Sequence, residues 1–180
     1  MATSRTRTKV FEAVLSLARE SAVGAITMEG LAARAGVSKQ TLYRTWPSTG
    51  AVLFEALLDR SMDDAGSVAV PDSGDLAADL LALAAATVSE LTDPSQEALL
   101  RAVTAEIQVD ENLATQYREK LLRPQIDGIA ERLRVANVID AEAITELFVG
   151  PILHRWLLRT GPFDAGWIDG HVARTLRAAR

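Results

Sequence analysis

Positions 39 to 44 carry Lys39, Gln40, Thr41, Tyr43 and Arg44, five hydrogen-bonding side chains interrupted only by Leu42. Lys39 can donate to guanine O6 or N7, and Gln40 can pair bidentately with adenine N6 and N7. Thr41 offers a methyl to a thymine methyl or a hydroxyl to phosphate. Tyr43 combines an apolar ring with a hydroxyl able to donate to phosphate. This set suits the reading of a polar groove and offers nothing that breaks a covalent bond. It works only if one face of a short helix presents it.

The flanking residues supply that helix. Thr27 can cap a first helix, in which Met28, Leu31, Ala32 and Ala35 follow at helical spacing. Gly36 stands where that helix must stop and the chain reverse, a place that asks for a left-handed residue. Ser38 caps the second helix, whose inward side is Val37, Leu42 and Trp46. So polar a free face gains little from burial and much from docking on something polar. In a helix-turn-helix, here about residues 27–46, that partner is the major groove of DNA. Thr27 then sets a helix N-terminus and a hydroxyl beside the DNA backbone, a favourable place for an anion. Arg5, Arg7 and Lys9 read as a basic arm for phosphate or the minor groove, or equally as an untethered terminus.

The segment from about Val10 to Leu58 resembles the DNA-binding domain of the tetracycline-repressor (TetR) family of transcriptional regulators. The likeness lies in Ile26-Thr27, Leu31-Ala32, Ala35-Gly36-Val37-Ser38, Thr41-Leu42-Tyr43, Trp46 and Pro47-Ser48, and the run AGVSKQTLYR is specific for the family. Gly150-Pro151-Ile152-Leu153-His154-Arg155 and Thr160-Gly161-Pro162 look like the C-terminal domain of one branch of it.

The resemblance implies a helix-turn-helix DNA-binding domain over residues 1–63 and a helical effector-binding and dimerisation domain over 64–180. It implies a homodimer on an inverted-repeat operator, repression as the outcome, and release by a small molecule whose binding shifts the fourth helix. Thr27, Ser38, Lys39, Gln40, Thr41, Tyr43, Arg44, Thr49, Arg5 and Arg7 form the expected DNA-binding set. Where the family commonly has a phosphate-contacting lysine after Pro-Ser, this chain has Thr49, which puts that one contact in doubt. Tyr117, Phe148, His154 and Trp156 are candidates to line an effector pocket or to be core. Phe148, Ile152, Trp156, Trp167, Val172 and Leu176 are expected at the dimer interface or in the protomer's core. An interior rich in Ala and Leu suits an apolar effector.

Residues 1–50 hold seven Lys/Arg against three Glu, a net +4. Residues 51–180 hold twelve against twenty-one acids, a net −9. A basic head on an acidic body is the asymmetry expected when one end meets phosphate. Cysteine is absent, which removes disulfides, zinc-thiolate sites and thiol nucleophiles and fits a reducing cytoplasm. The longest apolar candidate, Leu76 to Val88, is interrupted by Asp79 and falls short of the ~18 residues of a membrane span.

Apolar residues recur at three and four throughout, so the chain reads as all-α with nine or ten helices. These run from about Thr6 to Ala22 (ended by Gly24), through the motif pair, then Pro47-Ser48 to Ala65, with a boundary near Asp63. Asp75–Leu91, Ser95–Val109, Asn112–Val135 with a break at Pro124, Asp140–Arg159 with a kink at Pro151, and Asp164–Ala178 follow.

Two histidines and no HExxH, GxSxG, GxGxxG or P-loop pattern leave no catalytic constellation. Asp110-Glu111 lacks the spacing of a metal site. The expectation is a non-enzyme without cofactor or metal. A helical adaptor that docks its polar helix on another protein is the rival reading.

Overall fold

The computed structural model describes residues 4–20, 25–61 and 70–180. Among them every regular element is helical: α1 (Ser4–Glu20), α2 (Met28–Ala35), α3 (Lys39–Thr45), α4 (Thr49–Ser61), α5 (Leu76–Thr92), α6 (Glu97–Glu106), α7 (Glu111–Tyr117), α8 (Arg123–Val135), α9 (Ala141–Leu158) and α10 (Ala165–Ala178). The chain is therefore all-α. The end of α1 at Gly24 and the boundary near Asp63 lie outside the described residues.

Local chemistry sets most of the ends. Asp75 accepts from Ala77 N and Ala78 N, Asp110 from Asn112 N and Leu113 N, Asp140 from Ala143 N, and Asp164 from Trp167 N, so four aspartates cap four helices. The break expected at Pro124 takes a specific form. A π-helical segment, Arg118–Leu122, immediately precedes α8, in whose first turn Pro124 stands. A proline ring cannot tolerate the carbonyl four residues back in a tight α-turn, and a wider turn relieves that clash.

The helices form two compact units. In the first are α1 to α4 together with α6 and α7. Here α1 packs on α2, α4 and α6, while α6 and α7 pack on α4. Helix α4 buries Gly50, Val52, Leu53, Phe54, Ala56 and Leu57, too much of its circumference for α1 alone to cover. The apolar sides of α6 and α7 cover the rest, with the Tyr117 ring 5.9 Å from that of Phe54. Packing thus assigns residues 97–117 to the unit that holds the helix-turn-helix, a grouping that a division at residue 63 does not follow.

The second unit holds α5, α8, α9 and α10. Its core includes Leu80, Leu133, Phe148 and Ile152, all about fully buried. Asp79, which interrupts the apolar run of α5, is itself buried. Its carboxylate accepts from Arg132 Nε and Nη2 at 2.8 and 2.6 Å and from Ser73 N and Oγ at 3.0 and 2.7 Å. The Ser73 hydrogen bonds and the Arg132 guanidinium hold its pKa below the ordinary value against the opposing effect of burial.

Pro151 lies inside α9, and the helix ends at Arg159 in the left-handed conformation (φ 52°). Beyond it, Arg155 donates through Nε and Nη2 to Pro162 O at 2.9 and 2.7 Å. A Cβ at Gly161 would stand 2.6 Å from Arg155 Nη2. The Arg155 and Thr160-Gly161-Pro162 positions are therefore one closure, joined by a guanidinium.

Candidate nucleic-acid interface

The turn between α2 and α3 is built from three caps. Thr27 Oγ1 accepts from Gly30 N at 3.1 Å. Gly36 takes φ 64° and ψ 36°, its N–H returning to α2 while Val37 N donates to Ala32 O at 3.0 Å. That is a left-handed helix stop, which any side chain at Gly36 would strain. Ser38 Oγ accepts from Thr41 N at 3.1 Å and opens α3. Leu42 and Trp46 are buried, and this fixes which side of α3 is turned outward.

On the outward side lie Lys39, Gln40, Arg44 and Tyr43, the last 52% exposed. Thr41 is half-buried, and its hydroxyl lies 2.8 Å from Ser38 Oγ, so the methyl is the part left for a base. Thr49 begins α4 behind Ser48, whose Oγ accepts from Ala51 N at 3.2 Å, and is half-buried.

Lys39 is engaged in the free protein. Its Nζ lies 2.7 Å from Glu29 Oε1 on α2, and that hydrogen bond lowers the Glu29 pKa. No helical period relates residues 29 and 39 across a turn, so only the fold reveals the pair. The residues expected as a basic arm are helical. Arg5 and Arg7 belong to α1, where Arg5 is exposed but Arg7 Nη1 is 2.9 Å from Glu55 Oε1 and its guanidinium sits 5.4 Å from the Phe11 ring centre. Arg7 is a brace between α1 and α4, because helix formation brings it over Phe11 and opposite Glu55.

The other Glu55 oxygen accepts from Trp46 Nε1. Arg34 clasps Glu20 through two hydrogen bonds of 2.8 and 2.6 Å and also donates to Ser16, tying α2 to α1. These contacts hold the Glu20 carboxyl down at about 2. Gly30, in α2, would place a Cβ 3.3 Å from Thr27 Oγ1, so a local cap already argues for the glycine. Gly50 is more constrained, since a Cβ there would meet Leu113 Cδ2 at 2.8 Å and Glu106 Oε2 at 3.0 Å. Glu29, Glu55 and Gly50 are the contributors that sequence reasoning missed.

The expected pocket and interface residues fare differently. Phe148, Ile152, Trp156 and Val172 are 1–6% exposed and lie in the core of the second unit, the second of the two places expected for them. Their spacing along α9 and α10 marks an inward stripe, and periodicity alone cannot say which partner covers it. Trp167 and Leu176 keep partly open surfaces. Tyr117 packs on Phe54 in the first unit, Phe148 and Trp156 are sealed in the second, and His154 is exposed, so the four do not line one cavity within either unit.

The outward side of α9 is apolar too, through Leu147, Pro151 and Leu158, with His154 between them at helical spacing. A groove of about 300 Å³ runs there, lined in part by Leu147, Pro151, His154 and Trp167. At its edge the buried His171 stacks between Phe148 and Trp167, with ring centres at 5.5 and 5.1 Å. Its Nε2 lies 2.8 Å from Phe148 O, a pure acceptor, so Nε2 carries the proton. Burial pushes the imidazole pKa down.

Comparison with known proteins finds the same helical fold and helix-turn-helix class. Residues 11–56 match the family described as bacterial regulatory proteins, tetR family, and residues 70–175 match the tetracyclin repressor-like C-terminal domain. The chain is 29% identical over 160 residues to the uncharacterized HTH-type transcriptional regulator YdeS of Bacillus subtilis (strain 168), covering 85% of this chain and 79% of that one. It is 27% identical to the HTH-type transcriptional regulator AqdR of Rhodococcus erythropolis, covering 88% and 77%. Among solved structures, the TetR family transcription regulator SCO0332 superposes with a TM-score of 0.68 at 32% identity, over 97% of this chain and 98% of that one. The flavonoid-responsive regulator FrrA shares the fold, with a TM-score of 0.65 at 24% identity over 98% and 96%.

Proposed function

The chain belongs to the tetR family of bacterial transcriptional regulators, and from that premise we propose that it is a repressor that binds an inverted-repeat operator as a homodimer and leaves it when a small molecule binds. The observation that carries the proposal is the outward face of α3. A capped, seven-residue helix anchored by Leu42 and Trp46 presents Lys39, Gln40, Tyr43 and Arg44 to solvent. Nothing in that face stabilises the fold by burial, and its donors and acceptors match base edges and phosphates.

Dimerisation follows from the number of contacts. One such helix reads too few bases for specific binding, and two heads on a two-fold axis read two half-sites about one DNA turn apart. The outward apolar side of α9 supports that arrangement, because Leu147, Leu157 and Leu158 stand 43%, 49% and 60% exposed there. The effector, in this reading, is an apolar small molecule bound by the C-terminal helices, and Tyr117, Phe148, His154 and Trp156 do not by themselves make its pocket. No helix among the described residues is long and apolar enough to cross a membrane, and we place the protein with its DNA in the bacterial cytoplasm.

Selection of bound duplexes from a random DNA pool at near-physiological salt tests the proposal. Recovery of an inverted repeat with half-sites about one helical turn apart is the expected result. Recovery of no preferred sequence by folded protein would overturn it and favour a helix-turn-helix that serves a protein partner.

A further inference from the structure

Lys39 and Glu29 form an ion pair across the helix-turn-helix, 2.7 Å apart and both more than half exposed, on the face that presents the base-reading side chains. The two helix dipoles explain its polarity. Glu29 sits in the first turn of α2, where a carboxylate is favoured, whereas Lys39 opens α3, where a cation is not. The lysine therefore has reason to keep a carboxylate beside it. An exposed pair of this kind is weak and exchanges readily for a better partner.

Wherever α3 carries the Lys39 ammonium, Glu29 lies one hydrogen bond away. Near phosphate alone that carboxylate repels. Near base edges it can find a donor, since cytosine presents its N4 amino group in the major groove beside the O6 and N7 of the paired guanine. An ammonium and a carboxylate side by side are complementary to a base edge that sets an acceptor beside an amino group, and phosphate offers no such donor.

We infer, resting on the DNA-reading function above, that Glu29 is a specificity-determining residue: it holds Lys39 in the free head, opposes binding to phosphate alone, and on the operator accepts from a cytosine while Lys39 donates to guanine. Glu29 thereby acts as a filter. Non-specific duplex meets a lysine already occupied and a carboxylate that repels, whereas the correct G·C step satisfies both.

The test uses the full chain, with wild type, Glu29→Ala, Glu29→Gln and Lys39→Ala compared by pool selection and by salt titration of binding to a random-sequence duplex. Glu29→Ala and Glu29→Gln should each raise random-duplex affinity about threefold, with a salt slope steeper by ~0.9 per lysine freed. Glu29→Ala should also erase a G·C preference at the same half-site position that Lys39→Ala erases. Gln keeps the side chain's length, so a shared rise in affinity assigns the effect to charge. If random-duplex affinity or the selected sequence is unchanged in folded Glu29→Ala, the inference is overturned while the regulator reading stands. If folded wild-type protein binds no duplex in a salt-dependent way, the regulator reading falls and the inference with it.

Discussion

Trp46 Nε1 donates to Glu55 Oε2, so the end of the recognition helix α3 is fastened to the middle of α4. The other oxygen of the same carboxylate holds Arg7 of α1 at 2.9 Å. One side chain thus braces three helices of the head. Glu55→Ala should weaken binding to all DNA sequences alike, by about 1 kcal/mol or roughly fivefold, because it loosens α3 without touching a base-reading group. Titration of the variant against operator and random duplex checks this, the ratio of the two affinities staying near its wild-type value.

Base reading and backbone contact separate by residue. Lys39→Ala and Gln40→Ala should each relax preference at particular base pairs, at a cost of ~1–3 kcal/mol on the preferred site. Tyr43→Phe should weaken every sequence to the same degree. Binding to a panel of single-base operator variants distinguishes the two, and altered base preference in Tyr43→Phe with none in Lys39→Ala would reverse the assignment.

Gly50 marks the closest approach on α4. A Cβ there comes within 2.8 Å of Cδ2 of the buried Leu113, so Gly50→Ala should destabilise by up to ~1 kcal/mol, the overlap outweighing alanine's better helix propensity. Thermal melting should then fall by a few degrees, on the order of 2–4 °C per kcal/mol for a chain of this size. An unchanged melting temperature would mean that α7 yields freely at this point.

His171 predicts a dependence on pH. Its folded pKa lies below the ordinary 6.5, chiefly through burial, so the unfolded chain binds the proton more readily. Stability is then greatest above about pH 6.5 and falls as pH drops through that value toward the folded pKa. Glu20, held at about 2, contributes stability that is present above its ordinary value of 4.5 and is lost only below it. Just below about pH 6.5 the slope belongs in part to His171, and His171→Gln should flatten it in denaturant titrations.

The outward side of α9 sets apart association from folding. Leu147→Asp places a charge on a residue already 43% exposed, so the fold should change by less than about 0.5 kcal/mol while a dimer formed through that side dissociates. Ile152→Asp buries a charge and should unfold the second unit. Sedimentation of Leu147→Asp as a folded monomer is the expected result, and an unshifted dimer would place the interface elsewhere.

Much of this was legible in residues close together along the chain. Thr27, Gly36 and Ser38 announce a stop and two starts because caps are local, and each makes the hydrogen bond or adopts the φ its type prescribes. The same holds for Asp75, Asp110, Asp140 and Asp164. Leu42 and Trp46 point inward as their spacing requires, and that leaves Lys39, Gln40 and Tyr43 outside. Stripes of apolar residues were harder to read. Phe148, Ile152 and Trp156 plainly mark one side of α9, but a period states that a side is buried and not against what.

By itself, then, the sequence determined the helices, their caps, the turn and the outward polar set on α3, because each depends on neighbours within about one helical turn. Tertiary structure alone decided the rest: that Glu29 holds Lys39, that Glu55 joins Arg7 to Trp46, that α6 and α7 cover α4, and that Arg132 neutralises the buried Asp79. These partners stand between nine and fifty-three residues apart along the chain. A charge or an apolar side chain carries no mark of its distant partner, since complementarity of that kind is shared by every other residue of its type until packing chooses one.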